Sequence, residues 1–234
     1  MGAGPAALAP EAERVVLDEH PGHEVGACFA LNRLLARRVR EGDVVLAGNC
    51  HVAQGVLGAV GTQDLGVLWL DAHGDFHTPD TTTNGFFDGC ALALASGRGW
   101  RTLSEGLAPV AADRVVHVGG RDFNPGERER MEDAGVRFGP ERIAEVGAER
   151  WYVHLDLDVL DPDAVGRANA YAAPGGLTVA EVVDLLARLP GRVVAAAVTA
   201  YDPPCDPEGA VGAAGRELLS ALAHAPSRTS RRSS

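Results

Sequence analysis

Val67-Leu68-Trp69-Leu70-Asp71-Ala72-His73-Gly74-Asp75 is an apolar run that breaks into three metal-ligand side chains spaced two residues apart. The apolar half reads as a buried strand, and the carboxyl end of such a strand is where an open α/β sheet presents its ligands. A second stretch repeats the design: Trp151-Tyr152-Val153-His154-Leu155 runs into Asp156-Leu157-Asp158. In extended chain, residues two apart share a face. Asp71, His73 and Asp75 can therefore converge, as can Asp156 and Asp158. Five ligand-type side chains at two strand ends make a metal site the leading expectation.

Outward from these two stretches, strand-like and helix-like segments alternate. Apolar runs fall at 44–47, 67–70, 115–118, 152–157 and 193–198, with shorter candidates at 15–17 and 136–138. Amphipathic stretches lie between them at 26–40, 89–96, 127–134, 179–189 and 209–224. Thr178 followed by Glu181 is a capping-box pattern that predicts a helix start. This order predicts an α/β fold, a three-layer α/β/α domain around a mainly parallel sheet. The domain is expected to span residues 1–226, with 227–234 (Ser-Arg-Thr-Ser-Arg-Arg-Ser-Ser) a disordered basic tail. The loop at 162–176, rich in Ala, Gly and Pro, follows the Asp156/Asp158 strand and is expected to wall the site.

The chain has 234 residues, 46% of them hydrophobic and 23% charged, which is ordinary for a globular protein. A formal charge of −11 argues against nucleic acid or an anionic membrane as partner and leaves a small molecule as the expected one. Clustered aspartates holding divalent cations would neutralise part of that excess. Four cysteines without a CxxC pair read as reduced thiols, and residues 1–10 have no basic n-region. A cytoplasmic protein is expected.

A sixth ligand candidate is His51, in Gly48-Asn49-Cys50-His51 after the run at 44–47. Two histidines and four aspartates are too many for one tetrahedral ion and suit two ions sharing bridging carboxylates. The oxygen-rich set favours a hard ion such as manganese over thiolate-bound zinc. Cys50 reads as a poor ligand, because its side chain should leave the strand end on the side opposite His51. Singly, each motif has a bland alternative: an aspartate at a strand end commonly caps the next helix, and a histidine after a glycine is commonly a turn residue. Three motifs at matching strand ends outweigh those readings.

Taken together, these motifs make the sequence resemble the arginase/agmatinase (ureohydrolase) family of binuclear manganese hydrolases over roughly residues 44–203. Gly48-Asn49-Cys50-His51 is similar to the family's Gly-Gly-Asp-His, Asp71–Asp75 to its Asp-Ala-His-x-Asp, and 155–162 to its Asp-x-Asp-x-x-Asp-Pro. The loops His77-Thr78-Pro79-Asp80-Thr81-Thr82-Thr83-Asn84-Gly85 and Gly119-Gly120-Arg121-Asp122-Phe123-Asn124-Pro125-Gly126-Glu127 also look like family loops. The resemblance implies two Mn2+ per chain. His51, Asp71, Asp75 and Asp156 would hold one, and His73, Asp71, Asp156 and Asp158 the other. It further implies a metal-bridging hydroxide that attacks the amidino carbon of a linear amidine, and a trimer or hexamer. Asp161 falls in the motif as a turn residue rather than a ligand.

The departures from the family concern the substrate. Family members carry a guanidinium-binding glutamate after the last strand, where Thr199-Ala200-Tyr201-Asp202-Pro203 places Ala200. Alanine cannot offer the bidentate carboxylate that a guanidinium prefers. Asp88 stands where the family has a proton-transferring histidine; His77 replaces an asparagine and Asn124 an aspartate. His77, Asn84, Asp88, Asn124 and Ala200 are therefore the expected substrate-side positions, with Asp75, Asp88 and His77 as catalytic groups. Guanidino and N-hydroxyguanidino compounds are the leading substrates. Formimino compounds, a metal-binding protein without turnover, and single-zinc deacetylase chemistry are the alternatives. Retention of His51 weighs against the last of these, and improbable arginase activity follows from Ala200.

Of the remaining histidines, His117 and His154 read as core residues. The family's opening strand has no counterpart in residues 1–10, and 15–17 looks more like its second. A shorter start, a rearranged sheet or a covering partner would each account for that gap.

Overall fold

Leu68 and Leu70 point to one side of their strand and Val67 and Trp69 to the other, and each pair joins a different apolar cluster. That division builds three layers. The computed structural model describes residues 2–224, so the tail expected at 227–234 lies outside the described residues. Six strands, β1 (Val44–Leu46), β2 (Leu65–Leu70), β3 (Val115–Val118), β4 (Arg137–Phe138), β5 (Arg150–Asp156) and β6 (Arg192–Thr199), form one sheet among these residues. Their order is β1-β6-β5-β2-β3-β4 and every pairing is parallel.

The helices are α1 (Gly4–Leu8), α2 (Glu24–Arg38), α3 (Ala53–Val60), α4 (Ala91–Ala95), α5 (Glu127–Ala134), α6 (Ile143–Val146), α7 (Pro162–Val165), α8 (Val179–Arg188) and α9 (Ala210–Ala223). On one face Val182 and Leu186 of α8 and Val211 and Leu218 of α9 cover Leu68, Leu70, Val153 and Leu155. On the other, α2, α3, α4 and Met131 of α5 cover Val67, Trp69 and Tyr152. The predicted capping box is present: Thr178 accepts from the Glu181 amide while Glu181 accepts from Thr178. Asp161 caps α7 by accepting from the Asp163 amide, the turn role expected of it.

The topology positions the site. From β2 the chain steps outward to β3 and β4, then returns to the other flank of β2 with β5 and continues to β6. Such a reversal opens a crevice at the carboxyl ends of the two central strands. The register puts Leu70 beside Leu155 and Leu155 beside Val198, so Asp71 and Asp156 leave neighbouring strands at one level.

Two expectations fail. Residues 15–17 form no strand; Val15 packs on the core, Val16 is exposed, and β1 is the edge of the sheet. The segment is too short and too one-sided to pair, and a charged stretch follows it directly. The sequence also contains α3, which periodicity misses because most of its residues are buried and only Gln54 is polar. Its partner is α2, held at very close range. A Cβ on Gly55 would lie 2.8 Å from the Asn32 carbonyl oxygen and 2.8 Å from Leu35 Cβ. The Gly55 amide also donates to Asn32 Oδ1 at 2.6 Å. No helix among the described residues is long and apolar enough to cross a membrane.

Gly55→Ala should therefore destabilise the protein by ~1–3 kcal/mol through overpacking of the α2–α3 contact. The urea midpoint measures this. An unchanged midpoint would mean the two helices part without cost.

Candidate metal centre

Asp71 and Asp156 stand side by side where β2 and β5 end, and both are buried. Each is fixed from several sides. Asp71 Oδ1 accepts from the His73 amide at 2.8 Å and Oδ2 from Trp69 Nε1 at 3.1 Å. Asp156 Oδ1 accepts from the Asp158 amide at 2.9 Å, and the Cys50 thiol donates to Oδ2 at 3.0 Å. Asp158 accepts from the Ala72 amide at 3.2 Å and from Asn169 Nδ2 at 3.2 Å, which ties the β5 turn to the β2 turn. His73 Nδ1 lies 3.3 Å from Asp158 Oδ2 and 3.5 Å from Asp71 Oδ1. Asp71, His73 and Asp158 thus offer three ligand atoms within 4.8 Å of one another.

Asp75 adopts φ 52°, a left-handed conformation unfavourable for a non-glycine residue, and is buried. Strain of this kind persists only where the surroundings impose it. Here Glu127 grips the loop, accepting from the Phe76 amide at 2.9 Å and the Asn124 amide at 2.9 Å. Asp75 Oδ2 is buried without a hydrogen-bond partner. His51 sits in the turn Cys50–Val52, stacked on Phe87 with ring centroids 3.9 Å apart. Its Nε2 is 2.8 Å from the Phe87 carbonyl, which can only accept, so Nε2 carries the proton. The lone pair is then on Nδ1, also buried and without a partner.

The electrostatics are those of a site built for cations. Burial pushes Asp71 up to about 6, with the Asp158 charge adding to it. Burial and then the Asp71 charge push Asp75 well above the carboxylate range; burial and then the Asp158 charge do the same to Asp156. For Asp158 burial also acts upward, but the His73 bond and charge outweigh it and leave this carboxyl below its ordinary value. Burial opposes protonation of His73, yet its bonds to Asp158 and Asp71 raise it to about 12. His51 is lowered to about 4 by burial and is neutral, the form that ligates a metal. The convergent Asp71, His73 and Asp158, with the orphaned Asp75 Oδ2 beside the charges of Asp71 and Asp156, fit a divalent cation. His51 Nδ1 is also buried without a partner but is not among the ligand atoms that converge within 4.8 Å.

Of the substrate-side positions, the structure brings Asp88 to this cluster. Burial raises it to about 7, its Oδ1 is buried without a partner, and it feels the charges of Asp71 and Asp158. His77 is buried with Nε2 3.6 Å from Glu127 Oε1. Asn84 is exposed and spends its Oδ1 on Thr82 and the Phe86 amide; Asn124 is exposed in the opposite loop. Ala200 is buried at φ 61°, its carbonyl taken by Asn169 Nδ2 at 3.0 Å. That asparagine binds Asp158 as well, so the loop at 162–176 does wall the cluster. His154 is a core residue as expected, and His117 reaches the His73 carbonyl at 2.7 Å.

Cys50 corrects an expectation. It does leave the turn on the side opposite His51, but that side faces Asp156 rather than away from the centre. The irregular turn after Ala47 replaces the strand alternation on which the expectation rested. Burial keeps the thiol protonated by raising it well above its usual value. Trp69, Asn169 and Glu127 are further residues of the site that motif spacing passes over. Only Trp69 carried a signal, since it shares a strand face with Asp71.

A parallel α/β sheet with a buried carboxylate–histidine cluster at its carboxyl edge defines the class: α/β proteins that bind ligands at a topological switch point. The chain belongs to the arginase family, whose model matches residues 18–224. It is 33% identical over 178 residues to the N(omega)-hydroxy-L-arginine amidinohydrolase of Streptomyces lavendulae, a match covering 71% of this chain and 63% of that protein. It is 30% identical over 249 residues to the arginase of Brucella melitensis biotype 1, covering 92% and 80%. Among solved structures, the arginase of Bacillus subtilis superposes with a TM-score of 0.81 at 24% identity, covering 94% of this chain and 91% of that one.

The shifted groups give the cation-free protein a definite pH response. A carboxyl raised in the folded state, like Asp88 at about 7, contributes stability that is lost as pH climbs through its folded value. His73, raised to about 12, works in the same direction above its unfolded value of 6.5. The lowered histidines, His51 and His117 at about 4 and His154 at about 3, cost stability only as pH falls below 6.5. Between pH ~6.5 and ~8.5 the chelated protein should thus lose stability as pH rises, and a divalent cation should flatten the slope. Urea midpoints with EDTA and with Mn2+ measure this; a midpoint that rises with pH in EDTA would contradict it.

Proposed function

We propose that this chain is a metal-dependent amidinohydrolase that cleaves a non-peptide C–N bond of a linear amidine, with a guanidino or N-hydroxyguanidino compound as substrate. The observation that carries the reading is the convergence of Asp71, His73 and Asp158 ligand atoms within 4.8 Å, with the buried Asp75 feeling the charges of Asp71 and Asp156 and keeping its Oδ2 without a partner. His51, Asp71, Asp75 and Asp156 would hold one Mn2+, and His73, Asp71, Asp156 and Asp158 the second. Such a pair supplies a water-derived nucleophile at neutral pH. The relatives named for arginine and N-hydroxyarginine hydrolysis support the amidine as substrate class.

The chain's own residues divide the remaining work. Asp71 and Asp156 are locked by bonds to Trp69, His73, Asp158 and Cys50, so the carboxylates need no rearrangement when cations arrive. Asp75, held in its strained conformation by the Glu127-bound loop, would turn its unpartnered Oδ2 to the reacting centre. Asp88 Oδ1 is a buried acceptor free to take an amidinium N–H, so Asp88 replaces the carboxylate lost at Ala200. His77, its Nε2 3.6 Å from Glu127, would move a proton to the leaving amine. Asn84 and Asn124, exposed on two loops, would meet the substrate's far end. A cytoplasmic location is consistent with four free cysteines, and a homotrimer or homohexamer with the family.

A panel of guanidino, N-hydroxyguanidino and formimino compounds with added Mn2+, read by release of urea, hydroxyurea, formamide or ammonia, tests the reading. Turnover of a guanidino or N-hydroxyguanidino member is expected. Turnover of formimino compounds alone would move the substrate class, and silence with metal bound would make the protein a binder. For the best substrate, Asp88→Asn should lower kcat/KM by about 10–100-fold, the loss of one charge-assisted bond, with metal content unchanged. An unchanged kcat/KM would remove Asp88 from the substrate site.

A further inference from the structure

Behind Asp71 and Asp156 lies a second group of polar side chains on the same sheet face. Cys50 Sγ is 3.0 Å from Asp156 Oδ2 and 3.3 Å from Thr199 Oγ1. His154, one residue pair across from Trp69 in the β2–β5 register, stacks on that indole with centroids 3.7 Å apart. Its Nδ1 is 3.1 Å from the Tyr152 hydroxyl, and its Nε2 has only a long contact, 3.4 Å, to Thr199 Oγ1. Cys50, Asp71 and His154 each offer one ligand atom within 4.8 Å of the others, and all three residues are buried.

We propose that Cys50, Asp71 and His154 form a mixed sulfur–nitrogen–oxygen site for one thiophilic divalent cation, of the zinc, cobalt or cadmium type. Three features of this donor set point there. Its chemistry differs from that of the oxygen-rich centre above it: a thiolate and an imidazole select borderline and soft ions, whereas carboxylates alone suit manganese. The Tyr152 hydroxyl, 3.1 Å from Nδ1, can accept from it in the tautomer that frees the Nε2 lone pair for a cation, the outer-sphere arrangement that metal-bound histidines use. Trp69 Nε1 grips Asp71 Oδ2, so the third donor is fixed before any ion arrives.

When the cation binds, the thiol S–H bond breaks and a sulfur–metal bond forms. The thiol proton leaves to solvent, so one proton is released per ion bound. Because Asp71 belongs to both donor sets, this ion competes with the manganese pair instead of adding to it. A small, sulfur-anchored ion beneath the carboxylates would make the protein sensitive to thiophilic metals.

The experiment needs no substrate, so its outcome is independent of the amidinohydrolase reading. Cation-free full-length protein is titrated with Co2+ alone and followed by absorption. A near-ultraviolet sulfur-to-cobalt charge-transfer band that saturates at one ion per chain is expected. The band should vanish in Cys50→Ser and persist in Cys90→Ser, whose thiol is buried outside this group. If Cys50→Ser does not fold, X-ray absorption of the wild-type zinc form replaces it, with one sulfur and one or more nitrogen or oxygen scatterers expected. Cobalt bound without the band, a band that survives Cys50→Ser, or a zinc shell without sulfur would overturn the proposal.

Discussion

Four aspartates are buried at the carboxyl ends of two adjacent parallel strands, and the charge this concentrates is the constraint on which the rest of the site depends. Register makes it unavoidable. With Leu70 beside Leu155, the residues that follow, Asp71 just past β2 and Asp156 at the end of β5, are both aspartates at one level. His73 offsets part of the charge, but it satisfies Asp158 at the expense of its neighbours, and Asp75 and Asp156 stay far from their ordinary titration range. Isolated ionised carboxylates are not stable in such surroundings, so each must be protonated, hydrogen-bonded or paired with a cation. The neutral His51, whose Nδ1 lone pair no protein group takes, can ligate a cation but offsets none of that charge itself.

The fold is organised to carry this load. The two central strands are covered on both faces, which places the cluster at the one edge where the crevice opens. Small residues on β6, Ala195 and Ala197, leave room on the face that holds Trp69, Tyr152 and His154. Polar bonds then replace the missing solvent: indole, thiol, amide and asparagine donors reach every one of Asp71, Asp156 and Asp158. Low dielectric strengthens these bonds and equally raises the cost of leaving any acceptor alone.

Much of this was legible in the sequence because strand geometry is simple. Apolar runs located the strands at 44–47, 67–70, 115–118, 152–157 and 193–198, and period-two spacing anticipated that Asp71 and His73 meet. Asp75, at φ 52°, leaves the extended conformation that the spacing assumed. What escaped was local and irregular. The Cys50 turn is a 3-10 turn, and alternation does not reveal that the side opposite His51 faces Asp156. Asn169 reaches Asp158 from a loop eleven residues on, a contact no periodicity encodes. The helix α3 is apolar around most of its surface and shows no helical stripe. The segment at 15–17 misled in the other direction, since three apolar residues with the middle one exposed make no strand even though β1 is a sheet edge.

Ala200 and Asp88 illustrate how the substrate side differs in kind from the metal side. The carboxylates are dictated by strand register, whereas the substrate positions lie on loops, where a lost carboxylate at one place can be balanced by a gained one at another. The charge balance of the cluster is therefore the firmest ground for a direct test. Native mass spectrometry of the cation-free chain titrated with Mn2+ counts the ions that this charge demands. Two per chain, falling to one or none in Asp156→Ala, is the expected result; a wild-type chain that binds none would contradict the account at its root.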